Sequence, residues 1–110
     1  MIVAMTTVGD EATAKKLAES LVKNRLAACA SIAPNISSVY WWNDAIETNA
    51  EWLLIVKTAS DKIAAIEEFF RNNHPYELPE LIFDERRASP AYETWVKSRL
   101  TREAGSDKTK

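Results

Sequence analysis

The chain has 110 residues, of which 46% are hydrophobic and 27% are charged, and its formal net charge is -2. This length suits one domain with a single core, and the negative charge argues against a nucleic-acid-binding protein. With one cysteine the chain cannot form an internal disulfide, and it contains neither a signal-peptide pattern nor an apolar run long enough to span a membrane. We therefore expect a cytoplasmic protein that binds neither nucleic acid nor membrane.

The chain begins with a predicted strand and a predicted helix. Residues 1–8 form a short apolar run that favours a β-strand, which Gly9-Asp10 then ends. Asp10 is a good helix cap, and apolar residues recur at helical spacing from Glu11 to about Asn24. The predicted apolar stripe of this helix contains Ala14, Leu17, Ala18, Leu21 and Val22.

A long β-hairpin is predicted between about residue 28 and Thr58. Residues alternate in character along two runs that meet at Asn43-Asp44, a dipeptide typical of a hairpin turn. Pro34 lies in the first run, and because proline cannot donate a ladder hydrogen bond we expect an edge, a bulge or a bend there. The two predicted strands carry most of the large aromatic residues: Tyr40, Trp41, Trp42 and Trp52.

The length of this hairpin predicts an oligomer. A first strand of about 15 residues would span about 50 Å, whereas a compact chain of this size is about 35 Å across. The aromatic end of the hairpin would then project beyond its own core unless Pro34 breaks the strand. Since exposed Trp and Tyr side chains favour association, we predict an obligate homo-oligomer in which another copy buries them.

Two more helices are predicted after the hairpin, each with a serine cap. We predict that Ser60 caps the first, and that Ser89-Pro90 begins the second, which runs to about Leu100. The apolar residues predicted to face inward are Ile63, Ile66, Phe69 and Phe70 in the first helix, and Tyr92, Trp95, Val96 and Leu100 in the second.

The segment between these two helices, residues 72–80, contains two prolines and few helix-forming residues. A residue that precedes proline avoids the α region, so we predict extended backbone at His74 and Leu78. A short last strand is predicted at residues 81–83.

The predicted order is β-α-β-β-α-β followed by one extra helix. This order is typical of the ferredoxin-like α+β fold, an antiparallel sheet with two helices on one face. We predict a single domain over residues 1–100. Residues 101–110 lack apolar side chains apart from Ala104, and we predict that they form a disordered tail.

Five segments of the chain, in this order, carry a resemblance to a known family: TTVGDEATAKKLAESLV, RLAACASIAPNISSVYWW, EWLLIVKT, HPYELPELI and SPAYETWV. Together they resemble the CutA divalent-ion-tolerance family. The resemblance covers about residues 2–98 and implies a ferredoxin-like domain in a PII-like homotrimer, with the long hairpins joining neighbouring subunits. It further implies a role in tolerance of copper and other divalent cations, without a catalytic reaction or an organic cofactor.

A metal site is one hypothesis, with His74 as the first candidate ligand. A neutral imidazole suits Cu(II) or another divalent cation, and Cys29 and Glu77 are candidate helpers. The alternatives are a histidine that holds the turn and a buried, inert thiol. The copper-linked members place a cysteine in the first strand and a histidine pair before Pro-Tyr. Met5 and Asn73 stand at two of those positions here, which implies weakened Cu(II) binding.

A second hypothesis, from another class, is a signalling or scaffold trimer whose inter-subunit clefts bind a small ligand or a partner protein. Tyr40, Lys57, Tyr76 and Glu77 are candidates to line such a pocket, and Trp41, Trp42 and Trp52 are predicted at the trimer interface. The metal hypothesis requires ligands that converge on one point. The scaffold hypothesis requires a wide cleft with scattered polar groups. No G-x-S-x-G, CxxC, HExxH or P-loop motif occurs, so we expect no catalytic reaction.

Overall fold

The computed structural model describes residues 1–101, in which one four-stranded antiparallel sheet lies against helices. The strand order in the sheet is β2-β3-β1-β4. This order confirms the predicted ferredoxin-like α+β fold, while residues 102–110, where most of the disordered tail is predicted, lie outside the described residues. The elements are β1 (Ile2–Val8), α1 (Glu11–Lys23), β2 (Cys29–Trp42), β3 (Ala45–Thr58), a 3-10 turn (Ser60–Lys62), α2 (Ile63–Asn73), β4 (Ile82–Glu85) and α3 (Pro90–Arg99).

The main core lies between the sheet and the helices α1 and α2. Alternate residues of the central strands contribute to it, together with the stripes of both helices. Val22 does not, because it lies at the flank of the α1 stripe and is 40% exposed, so its predicted inward position is wrong. A smaller cluster involves α3, where Val96 and Leu100 are buried and Tyr92 and Trp95 are half-buried. The main cluster contains Ala4, Val8, Ala14, Leu17, Ala18, Leu21, Ala27, Leu54, Val56, Ile66 and Phe70.

The β2–β3 hairpin extends well past this core. Its two strands have 14 residues each, whereas β1 has seven and pairs with β3 only from Ile2↔Thr58 to Val8↔Trp52. Residues 45–51 of β3 therefore have no neighbour in the sheet except β2. The resulting molecule measures 51 × 25 × 24 Å, which agrees with the projecting hairpin predicted from strand length.

The turn and the bulge of the hairpin follow from local sequence. Asn43 and Asp44 both have positive φ, at 50° and 63°, as a type I′ turn requires. At Pro34-Asn35 the register shifts, since the pair Ala33↔Leu53 is followed by Ile36↔Glu51. One extra residue on β2 makes a bulge, which is one of the outcomes predicted at Pro34.

The bulge decides which side chains share a face in the distal half of the hairpin, defined here as residues 36–51. Side chains alternate along a strand, and the extra residue reverses the alternation. As a result Ile36, Tyr40 and Trp42 lie on the same face as Glu51. Val39, Trp41 and Ile46 lie on the other face, which we call the outer face.

The predicted cap at Ser60 is wrong. The chain leaves β3 extended at Ala59, tightens into a 3-10 turn, and α2 begins at Ile63 with no capping bond from a side chain. Ser89 does cap as predicted, because its Oγ accepts the Tyr92 N–H at 3.2 Å. Asp10 also caps as predicted, with Oδ1 accepting the Thr13 N–H at 2.7 Å.

These two serines form a matched pair for a stability test. We expect Ser89→Ala to lower the free energy of unfolding by about 1 kcal/mol, because the first turn of α3 loses its acceptor. Ser60→Ala should change it by less than about 0.5 kcal/mol, the usual range for a surface site. Urea unfolding of the three proteins measures both values, and equal losses in the two variants would contradict this account of the caps.

Candidate functional site

A cleft of about 820 Å³ lies between the distal half of the hairpin and the segment that follows α2. Residues 38–42 of β2 line one side and residues 75–80 line the other, and Thr7 and Glu51 contribute as well. This volume is within the range of small-molecule sites, about 300–1,000 Å³. The arrangement is a wide cleft with separated polar groups.

The segment at residues 75–80 turns away from α2 because prolines prevent the helix from continuing. His74 ends the helix with extended backbone, φ -77° and ψ 134°, as predicted, while its N–H still donates to the Phe70 carbonyl at 2.9 Å. Pro75 and Pro79 then line the cleft. The side chain of His74 attaches the segment to β1, and the side chain of Tyr76 attaches it to β3.

Both ring nitrogens of His74 are engaged in hydrogen bonds. Nε2 lies 3.0 Å from the Thr7 carbonyl oxygen and 3.1 Å from Thr6 Oγ1, and Nδ1 accepts the Tyr76 N–H at 3.1 Å. Because a carbonyl can only accept, the proton is on Nε2 and the imidazole is neutral. The ring also packs edge-on against Phe70, with centroids 5.9 Å apart. These contacts fit the structural alternative, a histidine that holds the turn.

The electrostatics around His74 also favour the neutral ring. Burial lowers the pKa of His74, although the hydrogen bond to the Thr7 carbonyl and the charge of Glu51 act in the opposite direction. A protonated ring would place a second N–H against the Tyr76 N–H. Acidification therefore opposes the attachment of residues 75–80.

Glu51 and Tyr76 form the most buried polar pair of the cleft. Glu51 is 6% exposed, and its Oε2 accepts the Tyr76 hydroxyl at 2.6 Å. Burial, with the hydrogen bond and charge of Glu51, raises the pKa of Tyr76, so the phenol stays protonated and donates. Nearby on the same hairpin face, the Asn49 amide donates to the Tyr40 hydroxyl. Glu51 was not predicted as a site residue from the sequence. The pattern that could have identified it is a carboxylate next to Trp52 within an alternating strand.

The predicted pocket residues divide into two groups. Tyr40, Trp41, Trp42, Tyr76 and Glu77 line the cleft, and Glu80 joins them. Lys57 and Trp52 do not line it in the described part of the chain. Whether Lys57 lines a pocket between subunits stays a prediction. Trp52 packs, half-buried, against the main core cluster.

Lys57 lies instead at the proximal end of the hairpin, together with Cys29. The two residues are paired across β2 and β3, with Nζ 3.9 Å from the Cys29 Sγ and a hydrogen bond to Ser31 Oγ. Tyr92 of α3 lies against the Cys29 thiol. The pKa of Tyr92 is raised, first by burial and then by its interaction with Cys29. The Cys29 side chain is partly exposed and lies beside the Lys57 ammonium, remote from the cleft.

The predicted metal ligands do not come together within one chain. Residues 1–101 contain no group of three or more His, Cys, Asp and Glu side chains that could hold a metal ion. The nitrogens of His74 are occupied, Cys29 lies at the proximal end of the hairpin, and Glu77 is exposed on the cleft segment. Met5 is half-buried in the central strand, opposite Ile55, as expected of a packing residue. The donor set of residues 1–101 thus does not fit a metal centre.

Comparison with known proteins gives the family. The family model described as CutA1 divalent ion tolerance protein matches residues 2–99. The chain belongs to the CutA1 divalent ion tolerance family. This match confirms the family resemblance inferred from the sequence segments.

Relatives occur in plants, animals and bacteria. The chloroplastic CutA 1 of Oryza sativa subsp. japonica is 40% identical over 104 residues, which are 94% of this chain and 58% of that protein. The divalent-cation tolerance protein CutA of an Escherichia coli strain is 34% identical over 100 residues, 90% of this chain and 89% of the relative. The chain thus spans about half the length of the plant and animal relatives it matches, such as 53% of the mouse CutA.

Solved CutA structures share the fold. The crystal structure of CutA1 from Oryza sativa is 40% identical with a TM-score of 0.86, and the match covers 94% of each chain. CutA from Synechococcus elongatus is 37% identical with a TM-score of 0.87, covering 91% of this chain and 89% of that one. The fold of this chain is therefore the fold of the solved CutA proteins.

The cellular location remains a prediction. Within residues 1–101 no helix is both long enough and apolar enough to cross a bilayer. The rice relative is named as chloroplastic, and a structure from Archaeoglobus fulgidus, 29% identical with a TM-score of 0.87 over 92% of this chain and all of that one, is named as periplasmic. Members of the family therefore differ in compartment.

The lowered pKa of His74 predicts a pH dependence of stability. The pKa of His74 is 6.5 in an unfolded chain and lower in the folded chain, so the unfolded chain binds a proton more readily. The contribution of His74 to the free energy of unfolding is therefore fully present above pH 6.5. It is lost as the pH falls toward the folded-state pKa. We expect the free energy of unfolding to decrease between about pH 7.5 and about pH 5.5, and His74→Gln to remove most of this decrease.

Urea unfolding at the two pH values measures the effect, and NMR titration of the chain's only histidine measures the pKa directly. An observed pKa at or above 6.5 would contradict the geometry described for the ring.

Proposed function

We propose that this chain acts in divalent-ion tolerance as a PII-like homotrimer, whose cleft lies at a subunit boundary and binds a small ligand or a partner protein. The observation that carries the proposal is the apolar outer face of the distal hairpin. Val39, Trp41 and Ile46 on this face are 66%, 72% and 63% exposed. A contiguous apolar surface of this kind marks an interaction site.

The edges of the sheet support a ring of copies rather than a simple pair. Residues 45–51 of β3 present one unpaired edge, because β1 ends at Val8, and β2 presents another along its outer side. Unpaired strand edges are templates for pairing with another chain. Two different edges favour head-to-tail contacts between copies, which close into a ring when the rotation allows. A trimer is the smallest ring of this kind.

Oligomeric state tests the first half of the proposal. We expect wild-type protein at micromolar concentration to have three times the chain mass of 12.4 kDa, and Trp41→Glu to have the mass of one chain. A buried charge without a partner opposes association because it must lose its water. Val22→Glu, at an exposed apolar position on α1, is the matched control and should remain trimeric. Light scattering after size exclusion measures all three, and a monomeric wild type would refute the trimer.

Metal binding belongs to the proposal in a restricted form. We infer that a divalent cation such as Cu(II) binds weakly and without His74. The support is that both nitrogens of His74 already have partners, and that the metal-ligand side chains of the described residues do not converge. A second copy's donors could complete a site at the subunit boundary, where Glu77 and Glu80 line the cleft.

Calorimetric titration with Cu(II) tests this inference. We expect weak binding that is the same in wild type and in His74→Gln, because the imidazole is not available as a ligand. Circular dichroism of the variant verifies that it remains folded. Saturable binding near one ion per chain, lost in His74→Gln, would overturn the inference and restore the predicted histidine site.

A further inference from the structure

We propose that the cleft binds an organic cation, a ligand with a planar guanidinium or an ammonium head group, with Glu51 as its counter-charge and Tyr40, Trp42 and Tyr76 as aromatic walls. The proposal rests on the proposed function, because it names a ligand class for the same cleft.

The first support is the state of Glu51. This carboxylate is 6% exposed, and its partner is the neutral hydroxyl of Tyr76. The ion pairs in the described part of the chain join other residues, and the nearby His74 is neutral. A buried carboxylate without a cation is unfavourable, and a positively charged ligand offsets that cost.

The second support is the sign of charge around the cleft. Glu77 and Glu80 join Glu51 among the lining residues, and no Lys or Arg is among those that the structure describes. A cleft with charge of one sign concentrates ligands of the opposite sign. The field inside this cleft therefore attracts cations and repels anions such as nucleotides.

The third support is the aromatic lining. Tyr40, Trp42 and Glu51 lie on the same hairpin face because of the bulge, and Tyr76 approaches from the other side of the cleft. The faces of Trp and Tyr attract cations, and a guanidinium both stacks on aromatic rings and pairs with a carboxylate through two bonds. Aromatic faces and a buried carboxylate in one cleft are complementary to an organic cation.

Size and geometry favour an organic cation over a metal ion. A bound metal ion needs three or more donors at one point, and residues 1–101 hold no such group. The cleft of about 820 Å³ is also far larger than one ion. A head group of several atoms contacts separated walls in a way that a point charge cannot.

Butylguanidinium is the probe, and butylurea is its neutral isostere. We expect butylguanidinium to bind the wild-type protein saturably at one per chain, with quenching of tryptophan fluorescence, and butylurea to bind at least about tenfold more weakly. Equal binding of the two compounds, or no binding of butylguanidinium, would overturn the proposal.

Variants test the residues. Glu51→Gln keeps an acceptor for Tyr76 but removes the charge, and should weaken butylguanidinium at least about tenfold. Tyr40→Leu, at a partly exposed position, tests the aromatic wall if the first variant does not fold. Glu19→Gln on the exposed side of α1 is the control with the same change in charge, and should bind as wild type.

The mass of each protein separates this proposal from the trimer. Loss of the trimer in Glu51→Gln, without binding of butylguanidinium to wild type, would mean that a basic side chain of another copy fills the cleft. That result overturns the free-ligand proposal and leaves the proposed trimer standing. A monomeric wild type that still binds butylguanidinium would support the ligand proposal and refute the proposed trimer.

Discussion

The unequal lengths of the central strands determine most of this molecule. The strand β1 pairs with only the proximal half of β3, so the core beneath the sheet stops where β1 stops, at Val8. The distal half of the hairpin must then find its contacts elsewhere. Residues 38–42 contribute to the cleft beside residues 75–80, and the outer face leaves Val39, Trp41 and Ile46 exposed.

The position of the cleft depends on a histidine that acts as an anchor. Residues 75–80 lie beside β1 because His74 bonds to Thr7 and receives the Tyr76 N–H. Each nitrogen used in this way is lost as a metal ligand, so the roles of anchor and ligand exclude each other within one conformation. The same anchoring brings Tyr76 to Glu51 and buries the carboxylate. The feature that removes a metal ligand thus creates a site with affinity for a larger cation.

Local signals allowed much of the fold to be predicted from the sequence. Asp10, Ser89 and the Asn43-Asp44 turn act through neighbours within three residues, and the structure agrees with each prediction. The predicted helix cap at Ser60 was wrong because the chain forms a 3-10 turn as it leaves β3, and no nearby residue predicts that turn. The cleft was harder still, since Glu51 is buried by Tyr76, a residue 25 positions away. Alternation along a strand also does not report how far apart two residues of the hairpin lie, and Lys57 is at the end opposite the cleft.

Assembly and ligand binding are linked if the cleft lies at a subunit boundary. The outer face and the cleft share the residues Val39 and Trp41, so a copy docked on one alters the opening of the other. A ligand that binds only the assembled form stabilises it by mass action, and the assembled form in turn binds the ligand more tightly. In the proposed oligomer, the projecting hairpin would connect the occupancy of the cleft to the stability of the assembly.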